Sequence, residues 1–264
     1  MAQAAGLMRA RLVLNLILLL LLALVAFWLW QKRQSEPPPR LSRQAVDSIQ
    51  RLSIERPGAV AIELVREPSG WRLARPRQLP ASEHHVQMLL RFLESPVWQR
   101  YPRDQIDLAA VGLARPGVVL QADQLRFQFG ALEPLRGLRY LLQGDEVLLV
   151  QEGVSALLAS PWWNFIDRRL LPAGTPLRLR FADGTVLEPG APATWAAHWR
   201  QELASIVQPA LDVETGELFE LELESGERIP WRWRNGEQSQ LVRIDLGLQY
   251  ELSREQLDAL LARP

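Results

Sequence analysis

The sequence predicts an α+β protein with an N-terminal transmembrane helix followed by two tandem repeats of antiparallel β-hairpin/meander plus helix. Three observations predict this class. A long uncharged apolar run lies near the N-terminus, alternating polar and apolar segments bounded by turn residues fill the rest, and similar short patterns recur in the two halves. Of the 264 residues, 48% are hydrophobic, which is enough for a packed core.

The apolar run extends from Leu12 to Trp30 and contains one polar side chain, Asn15. At about 1.5 Å per residue, a helix of this length nearly crosses a hydrocarbon core about 30 Å thick. No small-x-small cleavage site follows it, so an uncleaved signal-anchor is favoured over a signal peptide. We expect a short tail at residues 1–11, a single pass through the lipid bilayer at 12–30, and the remaining chain outside the cytoplasm. Basic residues on both sides leave the orientation ambiguous.

A proline-rich spacer is predicted at residues 31–44. The first α+β repeat unit is predicted over residues 45–172, and the second over residues 173–264. In the first unit, strands precede a helix that begins after Ser82, a suitable N-cap, and ends at Pro96.

The second unit is predicted to begin with a hairpin around Asp183 and Gly184, followed by a helix from Thr194 to a stop at Pro209. Short patterns in the two halves match, which indicates an internal duplication. The offset between matches drifts, so coincidence is the alternative. The matching positions include Leu90 with Leu203, Phe127 with Trp231, Val147 with Tyr250, and Ser155 with Asp258.

Three motifs in the first unit resemble those of a bacterial envelope family, the domain of unknown function 4340. The match covers roughly residues 49–158. The matching residues are Gly70, Trp71 and Leu73; Asp107, Leu108, Gly112, Leu113 and Pro116, with Val111 replacing an aromatic residue; and Arg139, Tyr140, Gly144, Asp145, Val147 and Val150. The resemblance implies a bacterial inner-membrane anchor and a periplasmic domain. Because some relatives accompany ABC-type transport systems, it also implies an accessory role, and it supplies no catalytic residues.

Composition excludes several classes of function. Thirty basic residues balance thirty acidic ones, so the positive surface that nucleic-acid binding needs is not expected. The chain has no cysteine, which excludes thiolate catalysis and zinc-cysteine or iron–sulfur sites. No HExxH, GxSxG, SxxK or phosphate-loop motif occurs. We therefore expect no enzyme, no catalytic or metal-binding residues and no cofactor.

The three histidines are expected to be structural. His84 and His85 are about 100° apart around a helix, so they cannot bind one ion from that helix. We expect both to face solvent, and their joint replacement by Ala to change stability by only about 0.5 kcal/mol. His198 lies between Trp195 and Trp199, where a partly covered imidazole is ordinary.

One aromatic segment, residues 160–172, has no counterpart in the second half. Its residues Trp162, Trp163 and Phe165 either pack between the two units or form a patch that contacts a partner. The helix period places Trp162 and Phe165, or Trp162 and Ile166, on one face and turns Trp163 away. We therefore take the three residues as a candidate partner contact, with one tryptophan structural and the other available.

These observations predict a single-pass membrane-anchored, non-enzymatic envelope protein, an accessory or scaffold subunit of a transport or envelope-assembly complex. Its expected partners are the bilayer and an envelope protein. The alternative is a binding module for a small molecule or a glycan, with tryptophans as stacking platforms. A hydrolase would need a cleft in which His198 meets an acid and a hydroxyl.

Overall fold

The computed structural model describes residues 17–28, 39–188, 192–234 and 239–261. Its helices are α1 (residues 17–28), α2 (Glu83–Leu93), α3 (Ser155–Ala159), α4 (Pro192–Gln201) and α5 (Arg254–Leu260). Most of the remaining described chain forms two antiparallel sheets.

The predicted membrane span is wrong. Of the predicted span, residues 17–28 lie within helix α1. None of the helices among the described residues combines the length and the apolar character needed to cross a bilayer. The predicted single-pass location in the inner membrane depended on this span, so that prediction is wrong as well. Residues 12–16, residues 29–30 and most of the predicted spacer lie outside the described residues.

The first sheet has nine strands in the order β4-β3-β2-β1-β6-β7-β8-β9-β5, and all neighbours are antiparallel. Buried and exposed side chains alternate along strands such as β1 and β3, as expected for a sheet with one face on the core. The strands are β1 (Arg51–Glu55), β2 (Ile62–Glu67), β3 (Gly70–Arg75), β4 (Leu79–Pro80), β5 (Val97–Pro102), β6 (Val118–Ala122), β7 (Leu125–Leu132), β8 (Leu138–Gln143) and β9 (Glu146–Gln151).

The second sheet has seven strands in the order β11-β10-β13-β14-β15-β16-β12. Its neighbouring strands are also antiparallel. The strands are β10 (Pro176–Phe181), β11 (Val186–Leu187), β12 (Ile206–Pro209), β13 (Glu217–Leu223), β14 (Arg228–Arg234), β15 (Ser239–Arg243) and β16 (Leu248–Leu252).

The two sheets share one order of connections. In each half, the strand that follows the first helix pairs with the last strand of a four-stranded meander: β5 pairs with β9, and β12 pairs with β16. A short helix, α3 or α5, then follows the meander. Strands β3 and β4 have no counterpart in the second sheet. The duplication of one ancestral unit stays a prediction. Superposing the two halves, element by element in this shared order, would test it.

The predicted α+β class is corrected to a mostly β architecture without a membrane-crossing helix among the described residues. One cause is the helix predicted to continue to Pro209. It ends at Gln201, and Ile206–Pro209 is strand β12. The β-branched residues Ile206 and Val207 favour a strand, and pairing with β16 satisfies the backbone there.

Helix α2 forms as its sequence predicts and covers part of the first sheet. The Ser82 side chain accepts a hydrogen bond from the backbone N–H of His85, which confirms the predicted N-cap. Val86, Leu89 and Leu93 recur at helical spacing and are fully buried. The helix lies against β3, and the residues at its N-terminal end contact the chain at Phe165 and Ile166.

A chain segment at residues 103–114 covers the opposite face of the first sheet. Leu113 from this segment packs with Leu142 and Val147 in a small second core. The close approach requires glycine at position 130, because a Cβ there would lie 2.5 Å from the carbonyl oxygen of Val111. The first sheet is therefore buried on both faces over this region.

Candidate functional site

A pocket of about 260 Å³ lies at the junction between the two sheets. Three separated parts of the chain form it: the β4 region, the linker between the sheets (residues 160–175), and strands and turns of the second sheet. The lining residues are Gln78, Leu79, Pro80, Ile166, Asp167, Arg169, Leu171, Pro172, Ala173, Leu223, Glu227, Ile229, Arg243, Leu246 and Tyr250. Larger clefts of about 360, 470 and 560 Å³ each lie within one half of the molecule, and their linings do not join the two sheets.

The linker is fixed on the first-sheet side by backbone hydrogen bonds. The N–H of Ser82 donates to the carbonyl of Phe165 at 2.8 Å, and the N–H of Asp167 donates to the carbonyl of Pro80 at 2.9 Å. Together they form an antiparallel bridge between Ala81 and Ile166. The pocket wall is thus held at a defined distance from β4.

The same linker is fixed on the second-sheet side. The N–H of Ala204 donates to the carbonyl of Arg168 at 3.0 Å, next to a bridge between Arg169 and Leu203. In addition, the Arg77 guanidinium donates through Nη1 to the carbonyl of Leu246 at 2.6 Å. These contacts join the two halves across the pocket.

Two arginines of the pocket are each held by an aspartate two positions away in the sequence. Arg169 donates to Asp167 through Nε at 2.8 Å and also through Nη2. Arg243 donates to Asp245 through Nε at 3.1 Å and through Nη2 at 3.2 Å. In both pairs the aspartate occupies the same edge of the guanidinium. Among the described residues, no acceptor is bonded to Nη1 of either arginine.

Tyr250 adds a hydroxyl group to this set. The side chain is almost fully buried, and burial raises the pKa of its phenol to about 12. The neighbouring charges of Arg243, Asp245 and Asp167 act on the pKa more weakly. The hydroxyl therefore stays protonated at neutral pH and remains able to donate a hydrogen bond.

The remaining wall is mostly apolar. Leu79, Ile166, Leu171, Leu223 and Ile229 are all less than 5% exposed. A concave apolar surface with a few fixed polar groups is the usual character of a small-molecule site. Chemically, this arrangement can bind and orient a small molecule that has an apolar body and a polar end.

The aromatic segment predicted as a partner contact lies beside this pocket, between the two units. Trp162–Phe165 form a 3-10 turn that contacts β12. Phe165 is fully buried, whereas Trp162 and Trp163 are half-buried and pack edge to face with ring centroids 5.7 Å apart. The predicted division into one structural and one free tryptophan does not arise, because a 3-10 turn does not follow the α-helical period. A partner contact at these residues stays a prediction.

His85 is more constrained than the sequence predicts. Its Nδ1 lies 2.7 Å from the carbonyl oxygen of Asn164, and its ring packs edge to face with Phe165. Desolvation by burial lowers the pKa of His85, with a smaller opposing effect from the Asn164 hydrogen bond and further lowering by His84 and Arg168. His85 is therefore part of the attachment between α2 and the linker.

The lowered pKa of His85 predicts a loss of stability in mild acid. Between the lowered folded pKa and the unfolded value of about 6.5, the unfolded chain binds more protons, so the free energy of unfolding falls as pH falls through this window. We expect His85→Gln to reduce this fall when urea unfolding is compared at about pH 7.5 and about pH 5.5. His84→Gln is the control for the loss of an imidazole, and it should keep most of the fall, because desolvation, the largest cause of the lowered pKa of His85, remains. Parallel pH dependence in wild type and His85→Gln would contradict the assignment.

The described residues contain no group of three acidic, histidine or cysteine side chains arranged to hold a metal ion. Among these residues, the side-chain partner of His198 is Glu202, with Nδ1 and Oε1 3.3 Å apart. Among the described residues, no hydroxyl group is hydrogen-bonded to this pair, so the geometry gives no support to a hydrolase.

Most tryptophans contribute to the core and do not form a stacking platform. Trp71, Trp195, Trp199, Trp231 and Trp233 are all less than 7% exposed. Trp98 is 55% exposed on β5, but it does not line the junction pocket. The tryptophan surplus therefore gives no support to glycan stacking.

Comparisons of the chain with protein-family models, with curated proteins and with solved structures each return no match. The resemblance to the domain of unknown function 4340 accordingly stays a prediction. Its motif residues have structural roles in this fold. Trp71 and Leu113 are buried, and Arg139 binds both Glu152 and the carbonyl of Gly130.

Proposed function

We propose that this chain is a non-enzymatic binding protein that holds a small molecule in the junction pocket. The observation that carries the proposal is the convergence of three distant chain segments on one concave surface with an apolar wall and fixed polar groups. The Asp167–Arg169 and Arg243–Asp245 pairs orient their guanidinium groups before any ligand binds, which lowers the entropy cost of binding. An accessory role in an envelope or transport complex stays a prediction from the sequence.

The size of the pocket limits the ligand. A volume of about 260 Å³ equals about nine times the volume of a water molecule in the liquid, about 30 Å³. The ligand is therefore a small metabolite or a terminal group of a larger molecule, since drug-sized sites begin at about 300 Å³.

Filling the pocket tests this function. Ala173 is exposed and lines the pocket, so Ala173→Trp places an indole in it without altering the core. A set of small aliphatic acids, amides, amines and alcohols is screened by saturation-transfer NMR. We expect at least one compound to bind the wild type and to lose about tenfold or more in affinity in Ala173→Trp, because the indole occupies the same volume.

Ala182→Trp is the matched control. Ala182 is also exposed but lines a different cleft beside β10 and β11. Both variants should keep the wild-type melting temperature. If no compound binds, or if both variants affect binding equally, the junction pocket is not the ligand site.

A further inference from the structure

We infer that the junction pocket recognises a small aliphatic carboxylate, a molecule with one anionic group and an apolar body. This inference rests on the proposed function, since it names the ligand class of the same site. It is carried by the positions of Arg169, Arg243 and Tyr250 around one apolar cavity.

The free edges of the two arginines supply the donors. In each guanidinium, the aspartate binds Nε and Nη2, and this leaves the two N–H groups of Nη1 without an acceptor among the described residues. Arg243 is additionally held by packing, because its Cζ lies 5.8 Å from the ring centroid of Trp231 and its side chain is 14% exposed. A guanidinium fixed in this way presents planar donors that suit a carboxylate.

The Tyr250 hydroxyl adds a donor to the two guanidinium groups. Because the phenol stays protonated at neutral pH, it can donate to an anion that the arginines hold. The free edges of the two guanidinium groups carry donors only, and the Tyr250 hydroxyl can donate as well. These three groups favour an acceptor-only group such as a carboxylate over an amine.

The charges around the pocket explain why one anionic group is preferred to two. Asp167 and Asp245 offset the charges of Arg169 and Arg243, so the site is not strongly positive. Glu227 is exposed at the pocket wall and has no ion-pair partner among the described residues. Its negative charge opposes every anionic group on a ligand, so one carboxylate depends on direct hydrogen bonds from the guanidinium groups and a second one would have no such donors.

The apolar wall of the pocket determines the chemical character of the rest of the ligand. Leu79, Ile166, Leu223 and Ile229 are buried aliphatic side chains that line the cavity. A short branched aliphatic chain would remove this surface and its own from water, and the burial of apolar surface favours binding. The probe that combines both features is 4-methylpentanoate.

The test compares 4-methylpentanoate with 4-methylpentanamide, which has nearly the same shape and no charge. Isothermal titration and NMR shift mapping measure both with the full chain. We expect the carboxylate to bind about tenfold or more tightly than the amide, as charge-assisted hydrogen bonds would give. The preference should fall in Arg243→Gln and in Arg169→Gln, and it should not fall in the control Arg103→Gln, which lines another cleft.

The outcomes separate this inference from the proposed function. If acid and amide bind equally and both are lost in Ala173→Trp, the pocket is a ligand site and carboxylate recognition is wrong. If other compounds bind and 4-methylpentanoate does not, the ligand class is wrong. If nothing binds, both are overturned. If Arg243→Gln does not fold, the test of carboxylate recognition relies on Arg169→Gln. The Arg169 side chain is 48% exposed, so its loss leaves the core intact.

Discussion

Replacement of Trp199 by Ala should lower the free energy of unfolding by about 4 kcal/mol, the middle of the range for large aromatic deletions in cores. Trp199 is fully buried at the centre of an aromatic cluster, with ring centroids 5.6 Å from Trp231 and 6.3 Å from both Trp195 and Phe219. Its indole N–H also donates to the carbonyl of Leu260 at 3.0 Å, which attaches α5 to α4. Urea unfolding followed by circular dichroism measures the loss.

Two further variants make this result specific. Trp199→Phe keeps a buried ring and removes the hydrogen bond, so it should cost clearly less than Trp199→Ala. Trp98→Ala removes a tryptophan that is 55% exposed, and it should change stability by no more than about 0.5 kcal/mol. A Trp199→Ala cost similar to that of Trp98→Ala would show that the aromatic cluster does not stabilise the second sheet.

Replacement of Phe165 by Ala should also cost about 4 kcal/mol. The side chain is fully buried where the linker meets α2, and its ring packs edge to face with His85 at 6.1 Å. Its carbonyl accepts the N–H of Ser82, so a shift of the backbone there would also disturb the start of α2. Loss of the ring should therefore destabilise the fold and weaken ligand binding in the junction pocket together.

Trp163→Ala is the control for this variant. Trp163 is half-buried, so its removal should cost less stability than the removal of Phe165. The melting temperatures of the two variants, measured by thermal unfolding, show directly which substitution costs more stability. A larger effect from Trp163 than from Phe165 would mean that the turn packs differently from the arrangement described.

Local signals in the sequence correctly predicted helix α2 and its Ser82 cap, because capping and helical periodicity depend on neighbouring residues. They failed for residues 206–209, where pairing with β16 decides the conformation. They also predicted a membrane-crossing helix near the N-terminus, and none is found among the described residues.

The junction pocket could not be predicted from the sequence. Its polar residues, Asp167, Arg169, Arg243 and Tyr250, come from segments about eighty residues apart, and only the fold brings them together. The pairs Asp167 with Arg169 and Arg243 with Asp245 each have an i, i+2 spacing, which is common on exposed strands and indicates no site by itself. The aromatic-rich composition of the neighbouring segment instead led to the prediction of a site at Trp162, Trp163 and Phe165.

The linker has a consequence for aggregation. Strand β4 is an edge of the first sheet and β12 is an edge of the second, and the linker bridges Ala81 just after β4 and Leu203 just before β12. Unpaired edges readily add strands from other molecules. This single stretch of chain binds the Pro80 carbonyl at the end of β4 and the Ala204 N–H just before β12, so it limits access to one end of each edge strand. We therefore expect cleavage within it to increase intermolecular strand addition.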